Sequence, residues 1–277
     1  MSAKLVYKKR LRPLLYYPKV LTFHKITPEF SFGSTNYSPR RFNRLLAFLS
    51  DKGINLASLE KAVAEKGERS LAVTFDDGYG HLARYLPLLM ERFHFRPTIF
   101  VITGYIGRAN SWDYTYFFRS TPHLDSKQIR ELAENGAAIG SHSHRHRDLT
   151  ACSPAELRAE LVDSKKILED IIGKEVISLS YPFGHFNRRV IEEARSAGYK
   201  YAFTMDFPEP TDENMSIGRI PVYGFDSRLA VFQKVFRGPL YKFEKLKSTF
   251  THRLAAGTIM LNKIRARKQP AETDKSL

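Results

Sequence analysis

The chain of 277 residues contains a single cysteine, Cys152. One thiol excludes both an internal disulfide framework and a zinc site built from several cysteines. The sequence also lacks an uninterrupted apolar run of about 18 residues, which argues against a membrane-spanning helix. Of all residues in the chain, 43% are hydrophobic, 13% are aromatic and 26% are charged. These values indicate a packed domain of enzyme size rather than a disordered chain.

Acidic residues are scarce at both ends of the chain. Residues 1–19 carry six Lys or Arg and no Asp or Glu, and residues 237–268 carry nine Lys or Arg against one Glu. Most of the net charge of +15 therefore lies at the ends. Because the middle is almost neutral, a basic groove for nucleic acid is not indicated. We predict a basic N-terminal arm at 1–19, a central domain at 20–236 and a basic amphipathic extension at 237–277.

The two basic ends of the chain carry information about where in the cell the protein is located. The first residues include no apolar stretch of the length found in secretory signals and no small-residue cleavage site, so the sequence predicts a cytoplasmic protein. In the extension, apolar residues recur near helical spacing among many Lys and Arg. This pattern fits a helix on an anionic membrane surface, here the inner face, or a helix packed on the domain with a solvated basic face. The apolar positions of this pattern in the extension are Leu240, Phe243, Leu246, Phe250 and Leu254.

No feature of the sequence predicts an oligomeric state.

Apolar, β-branched runs alternate with helical patterns along the central domain, which predicts an α/β fold with a parallel sheet. The predicted strands are Val20–His24, Leu71–Phe75, Thr98–Thr103, Ala137–Ser141, Ile177–Tyr181 and Tyr201–Thr204. The predicted helices are Arg40–Lys52, Ser153–Ile172 and Arg188–Ala197.

Two adjacent acids, Asp76 and Asp77, follow one of these strands and precede Gly78. Carboxylates next to a buried strand are costly unless a cation or hydrogen bonds compensate their charge. The pair therefore indicates either a functional site or, as the plainer alternative, a solvated Asp-Asp-Gly turn.

Three histidines follow another predicted strand. His142 and His146 are four residues apart, so a helical turn would place both imidazoles on one face; His144 would point elsewhere and receives no ligand role. With Asp77 they form a two-histidine, one-carboxylate set, and three protein ligands with an open position describe a catalytic metal site. Asp76 would then act as the base for an attacking water, which predicts metal-assisted hydrolysis. The alternative is a solvated polar turn.

A third turn, Ser180-Tyr181-Pro182-Phe183-Gly184, also follows a strand. It can shape a groove wall and supply a backbone N–H to an oxyanion. It is equally typical of a strand-to-loop turn with core aromatics.

The three motifs, in this order, resemble those of the polysaccharide deacetylases of carbohydrate esterase family four, from about Val20 to Val222. The resemblance implies a distorted parallel (β/α) barrel. It implies Asp76 as catalytic base, an oxyanion N–H from Phe183, and substrate contacts from the same turn. The implied metal ligands are Asp77, His142 and His146, and the implied turn residues are Tyr181, Pro182, Phe183 and Gly184.

The sequence departs from the family pattern in two places. Ser180 stands where most members have an Arg that orients the base, and Arg219 is the candidate replacement. No C-terminal Leu-x-His strand supplies the acid, but the strand ending at His24 resembles the circularly permuted poly-β-1,6-N-acetylglucosamine deacetylase branch. That likeness makes His24, as imidazolium, the acid for the departing amine; a structural histidine is the alternative.

The resemblance implies a hydrolase that removes N-acetyl groups from an aminosugar in a polysaccharide or a lipid-linked precursor. The implied cofactor is a divalent metal, first Zn, with Co, Ni, Mn or Fe as alternatives. An O-acetyl esterase, a deformylase, or a carbohydrate- or lipid-binding homologue without catalysis remain alternatives. Trp112, Tyr114 and Tyr181 are candidates for stacking on sugar rings, with core packing as the alternative for each.

Overall fold

The structure is a computed structural model, and it describes residues 19–28, 35–65, 69–109, 121–205, 207 and 214–251. Trp112, Tyr114 and nearly all of the basic arm lie outside these ranges, as does the chain after residue 251.

Parallel strands form the centre of the domain, in the order β10-β1-β5-β6-β7-β8-β9, with β4 paired to β5; β2 and β3 form a separate pair. The six predicted strands correspond to β1, β5, β6, β7, β8 and β9. The strands are β1 (Val20–Phe23), β2 (Lys25–Ile26), β3 (Asn36–Tyr37), β4 (Asn55–Leu56), β5 (Ser70–Phe75), β6 (Thr98–Val101), β7 (Ala138–Ser141), β8 (Ser178–Ser180), β9 (Tyr201–Phe203) and β10 (Ile220–Pro221).

The segment 217–221 joins the two ends of this curled sheet. Ile217 bridges to Phe203 of β9 in parallel, and three residues further along Ile220 of β10 pairs with Leu21 of β1. The sheet therefore curls into the distorted parallel barrel that the resemblance implied. Arg219 lies inside this closing segment and is fully buried.

Helices cover the sheet, and local sequence explains where they begin. Ser38 caps α1 ahead of Pro39, and Ser153 with Glu156 forms a capping box at the start of α5, which ends at left-handed Gly173. The helices are α1 (Pro39–Asp51), α2 (Leu59–Glu65), α3 (His81–Phe93), α4 (Ser126–Glu134), α5 (Pro154–Ile172), α6 (Arg188–Ser196) and α7 (Arg228–Phe236).

The start of the predicted extension is helical at 241–251. None of the helices in the described ranges has the length and hydropathy of a bilayer-spanning segment.

Candidate active site

The candidate site lies at the carboxyl edge of the sheet. His24 follows β1, Asp76 follows β5, His142 follows β7 and Tyr181 follows β8. The carboxyl ends of parallel strands share one edge, where ligands of open and closed α/β sheets bind. Polar residues that are far apart in the sequence are therefore collected at one place.

Asp77, His142 and His146 form a buried cluster. One potential ligand atom from each residue lies within 4.8 Å of the others. Nε2 of His142 is 3.5 Å and Nε2 of His146 is 3.9 Å from Oδ1 of Asp77. Asp77 and Gly78 both have a left-handed φ of 69°, so the chain turns sharply after Asp76. The donors are of the types that hold a divalent transition metal.

The prediction that a helical turn aligns the two histidines is wrong. Residues 142–148 form an irregular loop, in which Ser143 and His146 both have positive φ, 64° and 53°. Side-chain hydrogen bonds hold this loop. The Ser143 Oγ accepts from the N–H of His146 at 3.1 Å, and a carboxylate oxygen of Glu160 accepts from the N–H groups of residues 144 and 145. As predicted, His144 is outside the cluster, beside Thr103.

A backbone contact fixes the tautomer of His142. Its Nδ1 is 2.8 Å from the carbonyl oxygen of Ser180. A carbonyl oxygen only accepts hydrogen bonds, so Nδ1 carries the proton and donates it. The lone pair is then on Nε2, the nitrogen that faces Asp77. Such outer partners orient metal-binding histidines in proteins.

Asp76 forms a bidentate ion pair with Arg219. Both carboxylate oxygens of Asp76 are 2.7 Å from guanidinium nitrogens of Arg219. The hydroxyl of Ser180 accepts from Arg219 at 2.8 Å and is 3.3 Å from Asp76. Burial alone would raise the pKa of Asp76, but the Arg219 guanidinium holds that pKa well below its usual range. The carboxylate is therefore ionised at neutral pH.

His24 completes the group beside Asp76 and His142. Burial lowers the pKa of His24 to about 4, although the negative charge of Asp76 acts in the opposite direction. At neutral pH the resting imidazole is neutral. To act as the imidazolium that the resemblance implies, His24 must therefore first receive a proton.

The turn after β8 presents Phe183 to the cluster. Phe183 has φ of 60°, and its ring centroid is 4.7 Å from that of His146. Gly184 also has positive φ, and a Cβ there would come within 2.8 Å of the Met205 nitrogen, so glycine is required. Pro182 and Gly184 are buried, which leaves Phe183 as the side chain that the turn offers.

The prediction that Tyr181 stacks on a sugar ring is wrong. Its side chain is fully buried, its hydroxyl donates to the carbonyl of Met215 at 2.9 Å, and its ring stacks on Phe186. Tyr181 is a core residue that anchors the turn.

Comparison with known proteins shows the family and the fold of the chain. The sequence model of the family described as polysaccharide deacetylase matches residues 64–202, half of the chain. The chain belongs to the polysaccharide deacetylase family. The match includes both acids, the three histidines and the turn after β8, whereas His24 and Arg219 lie outside it.

The individual relatives of this chain are distant. YxkH of Bacillus subtilis (strain 168) is 25% identical over 193 residues, 68% of this chain but only 64% of YxkH. The poly-β-1,6-N-acetyl-D-glucosamine N-deacetylase of Staphylococcus aureus (strain MRSA252) is 23% identical over 224 residues, 73% of this chain and 75% of that protein. The Streptococcus pyogenes deacetylase PplD, solved with acetate, superposes with a TM-score of 0.67 at 23% identity, over 78% of this chain and 97% of that one.

One further histidine near the site, in addition to His24, His142 and His146, was not predicted from the sequence. His123 is buried and stacks on Tyr79, two residues after Asp77, with ring centroids 4.9 Å apart. Its Nδ1 donates to the carbonyl of Arg108 at 3.3 Å. Burial lowers the pKa of His123 to about 4, and Lys25 acts in the same direction. No sequence motif surrounds this histidine, so the sequence offered no signal for it.

Because the pKa of His123 is depressed in the folded state, the unfolded chain binds more protons between pH 4 and 6.5. Stability is therefore complete above about pH 6.5 and falls as the pH drops towards 4. Between pH 7.5 and 5 we expect His123 alone to cost about 2 kcal/mol of unfolding free energy. Urea unfolding of wild type and His123→Gln at both pH values measures this. An equal loss in the two proteins would contradict the assignment.

Proposed function

We propose that this polysaccharide deacetylase family member is a metal-dependent hydrolase that removes N-acetyl groups from an aminosugar in a glycan or glycan precursor. One observation carries the proposal: an ionised, buried Asp76–Arg219 pair lies directly beside the Asp77, His142 and His146 cluster. The first group is suited to accept a proton, and the second is suited to hold a metal ion.

The donor set fits a divalent metal. It consists of one carboxylate and two imidazoles, of which His142 presents the lone pair of Nε2, and three protein ligands leave a position open for reactants. Zinc suits this set best, and Co, Ni, Mn or Fe are the alternatives. When bound, the metal would polarise the acetamide carbonyl and make the attacking water more acidic.

The residues around the cluster have separate roles in this proposal. Asp76, kept ionised by Arg219, takes the proton of the attacking water. The backbone N–H of Phe183 donates to the oxyanion that develops on the former carbonyl oxygen. His24 protonates the departing amine. Because His24 is neutral at rest, the proton that Asp76 removes is the natural source of the proton that His24 delivers, so the two groups act in sequence.

The relatives support the substrate class. The staphylococcal relative is by name an N-deacetylase of an N-acetylglucosamine polymer, and its alignment with this chain covers 224 residues. The position of His24 after β1 also agrees with the permuted order of that branch. An O-acetyl esterase or a deformylase would use the same groups, and only the product distinguishes them.

A homologue that binds glycans without catalysis is the alternative from a different functional class. The Ser at position 180 favours it, since the usual Arg is missing. The contacts of Arg219 with Asp76 and Ser180 weigh against it, because they supply a guanidinium to the base from the closing segment 217–221.

Product analysis with a His24→Gln variant tests the proposal. Wild type with Zn²⁺ and N-acetylglucosamine oligomers should release acetate and an equal amount of free amine. His24→Gln should bind the metal normally and release acetate more slowly by about 10²–10⁴-fold, the range of general acid–base catalysis. Acetate without free amine would indicate an esterase. Full activity in His24→Gln would remove His24 from the mechanism.

A further inference from the structure

The helix at 241–251 packs on the domain with its polar face. Glu244 and Ser248, four residues apart, are buried, whereas Phe243, Leu246 and Phe250 are 64%, 70% and 63% exposed. The exposed residues follow the three- and four-residue spacing of one helix face. Amphipathic helices of soluble domains normally bury that face, so this helix is inverted.

Buried charges hold the helix in this orientation. Asp226 accepts from Lys234 of α7 at 2.6 Å, and Lys247 of the helix is 3.1 Å from the other Asp226 oxygen. Lys247 also pairs with Glu244, and the hydroxyl of Tyr223 donates to the carbonyl of Ser248 at 3.3 Å. The apolar face is therefore kept outward by specific contacts.

More exposed apolar residues lie close to the helix in the sequence. Leu240, one turn before Phe243, is 54% exposed, and so is Leu229 at the start of α7; Phe225 is 49% exposed. Lys247 lies over the Phe225 ring, 5.2 Å from its centroid, which connects the loop to the helix. We call Leu240, Phe243, Leu246 and Phe250 the apolar stripe. Large apolar side chains exposed together along one helix are typical of an interaction site.

Charge identifies the partner. Lys242 and Lys245 flank the apolar stripe on the same helix, and the next 17 residues, 252–268, carry five Lys or Arg and no Asp or Glu. An apolar stripe within a basic segment matches an anionic lipid surface, where apolar side chains enter the acyl boundary and cations meet the headgroups. We propose that the apolar stripe binds this protein to an anionic membrane surface.

The helix that carries the apolar stripe is attached to the domain near the candidate site. Phe225 and Asp226 belong to the loop after β10, and the loops after parallel strands share the edge that carries Asp76 and His142. The helix is thus anchored at the same edge of the barrel as the site. Binding through the stripe would bring that edge close to lipid-linked substrates.

Vesicle flotation of the full chain tests the proposal. We expect binding to phosphatidylcholine vesicles that contain phosphatidylglycerol, much weaker binding to pure phosphatidylcholine, and a loss of affinity at high salt. Leu246→Ser should weaken binding by about tenfold. Leu88→Ser, at a leucine of α3 that is 72% exposed, is the matched control and should bind like wild type. Phe243→Ser, Leu246→Ser and Phe250→Ser together should abolish flotation.

These residues are exposed, so the variants should keep the thermal midpoint of wild type. Several outcomes would overturn the proposal: no flotation of wild type, equal effects of Leu246→Ser and Leu88→Ser, or flotation that survives the triple variant. A wild-type dimer that becomes monomeric in the triple variant, without vesicle binding, would assign the stripe to a second copy of the chain. The flotation assay measures binding without turnover, so its result does not depend on whether the proposed chemistry is right.

Discussion

Replacing Arg219 with methionine is expected to destabilise the domain by about 3–5 kcal/mol, the usual cost of leaving one charge of a buried pair without its partner. Arg219 is fully buried and binds both oxygens of Asp76. Without the guanidinium, burial would raise the pKa of Asp76. Any folded Arg219→Met protein should therefore lose activity as well, because a protonated carboxyl cannot accept the proton of water.

Urea unfolding at pH 7.5 measures the stability effect, with Arg188→Met as the control. Arg188 forms an exposed pair with Glu192 on α6, and surface pairs contribute about 0–1 kcal/mol. A double-mutant cycle with Asp76→Asn separates the pair from general packing, because the second change should cost much less once the first partner is gone. Additive losses, or full activity in Arg219→Met, would show that Arg219 does not support Asp76.

Most of the barrel was predictable because its strands are apolar and separated by capped helices. For example, α1 and α5 begin within one residue of the predicted starts, where Ser38 and Ser153 cap the helices. The closing segment 217–221 was not predictable. It pairs through only a few residues and contains Pro221, so its sequence lacks the apolar pattern from which a strand is predicted. Its partners lie near residues 21 and 203, and such contacts are set by tertiary structure.

The sequence was enough to predict which residues form the metal cluster, but not how the chain brings them together. Adjacent acids and paired histidines after strands indicated a metal cluster, and the structure brings the three named residues together. The loop that aligns His142 and His146 depends on positive φ values and on Glu160 from α5. Residue spacing alone could not reveal either. The burial that neutralises His24 and encloses Tyr181 likewise arises only when the sheet curls.

The orientation of the C-terminal helix shows the same limit. The sequence predicted an amphipathic basic helix and left open whether it packs on the domain or faces a membrane. In the structure the helix packs on the domain, yet its apolar face stays outward. The deciding contacts are those of Asp226 with Lys234 and Lys247, which no spacing rule anticipates.

Asp76→Asn is expected to have the largest effect on activity. The amide cannot accept the proton of water, so the rate of acetate release should fall by at least about 10³-fold, within the range for a general base. Asp77, His142 and His146 are unchanged in this variant, so metal binding should persist. The change also leaves Arg219 without its partner, and the thermal midpoint must therefore be measured beside the rate.

The most direct test of the proposed mechanism is acetate release per bound metal ion, measured on wild type and Asp76→Asn with N-acetylglucosamine oligomers. We expect turnover by metal-loaded wild type, loss of turnover on chelation and its return with Zn²⁺, and a metal-loaded but inactive Asp76→Asn. Turnover by metal-free wild type would contradict the metal-dependent mechanism. Undiminished turnover by metal-loaded Asp76→Asn would contradict the role of Asp76 as base.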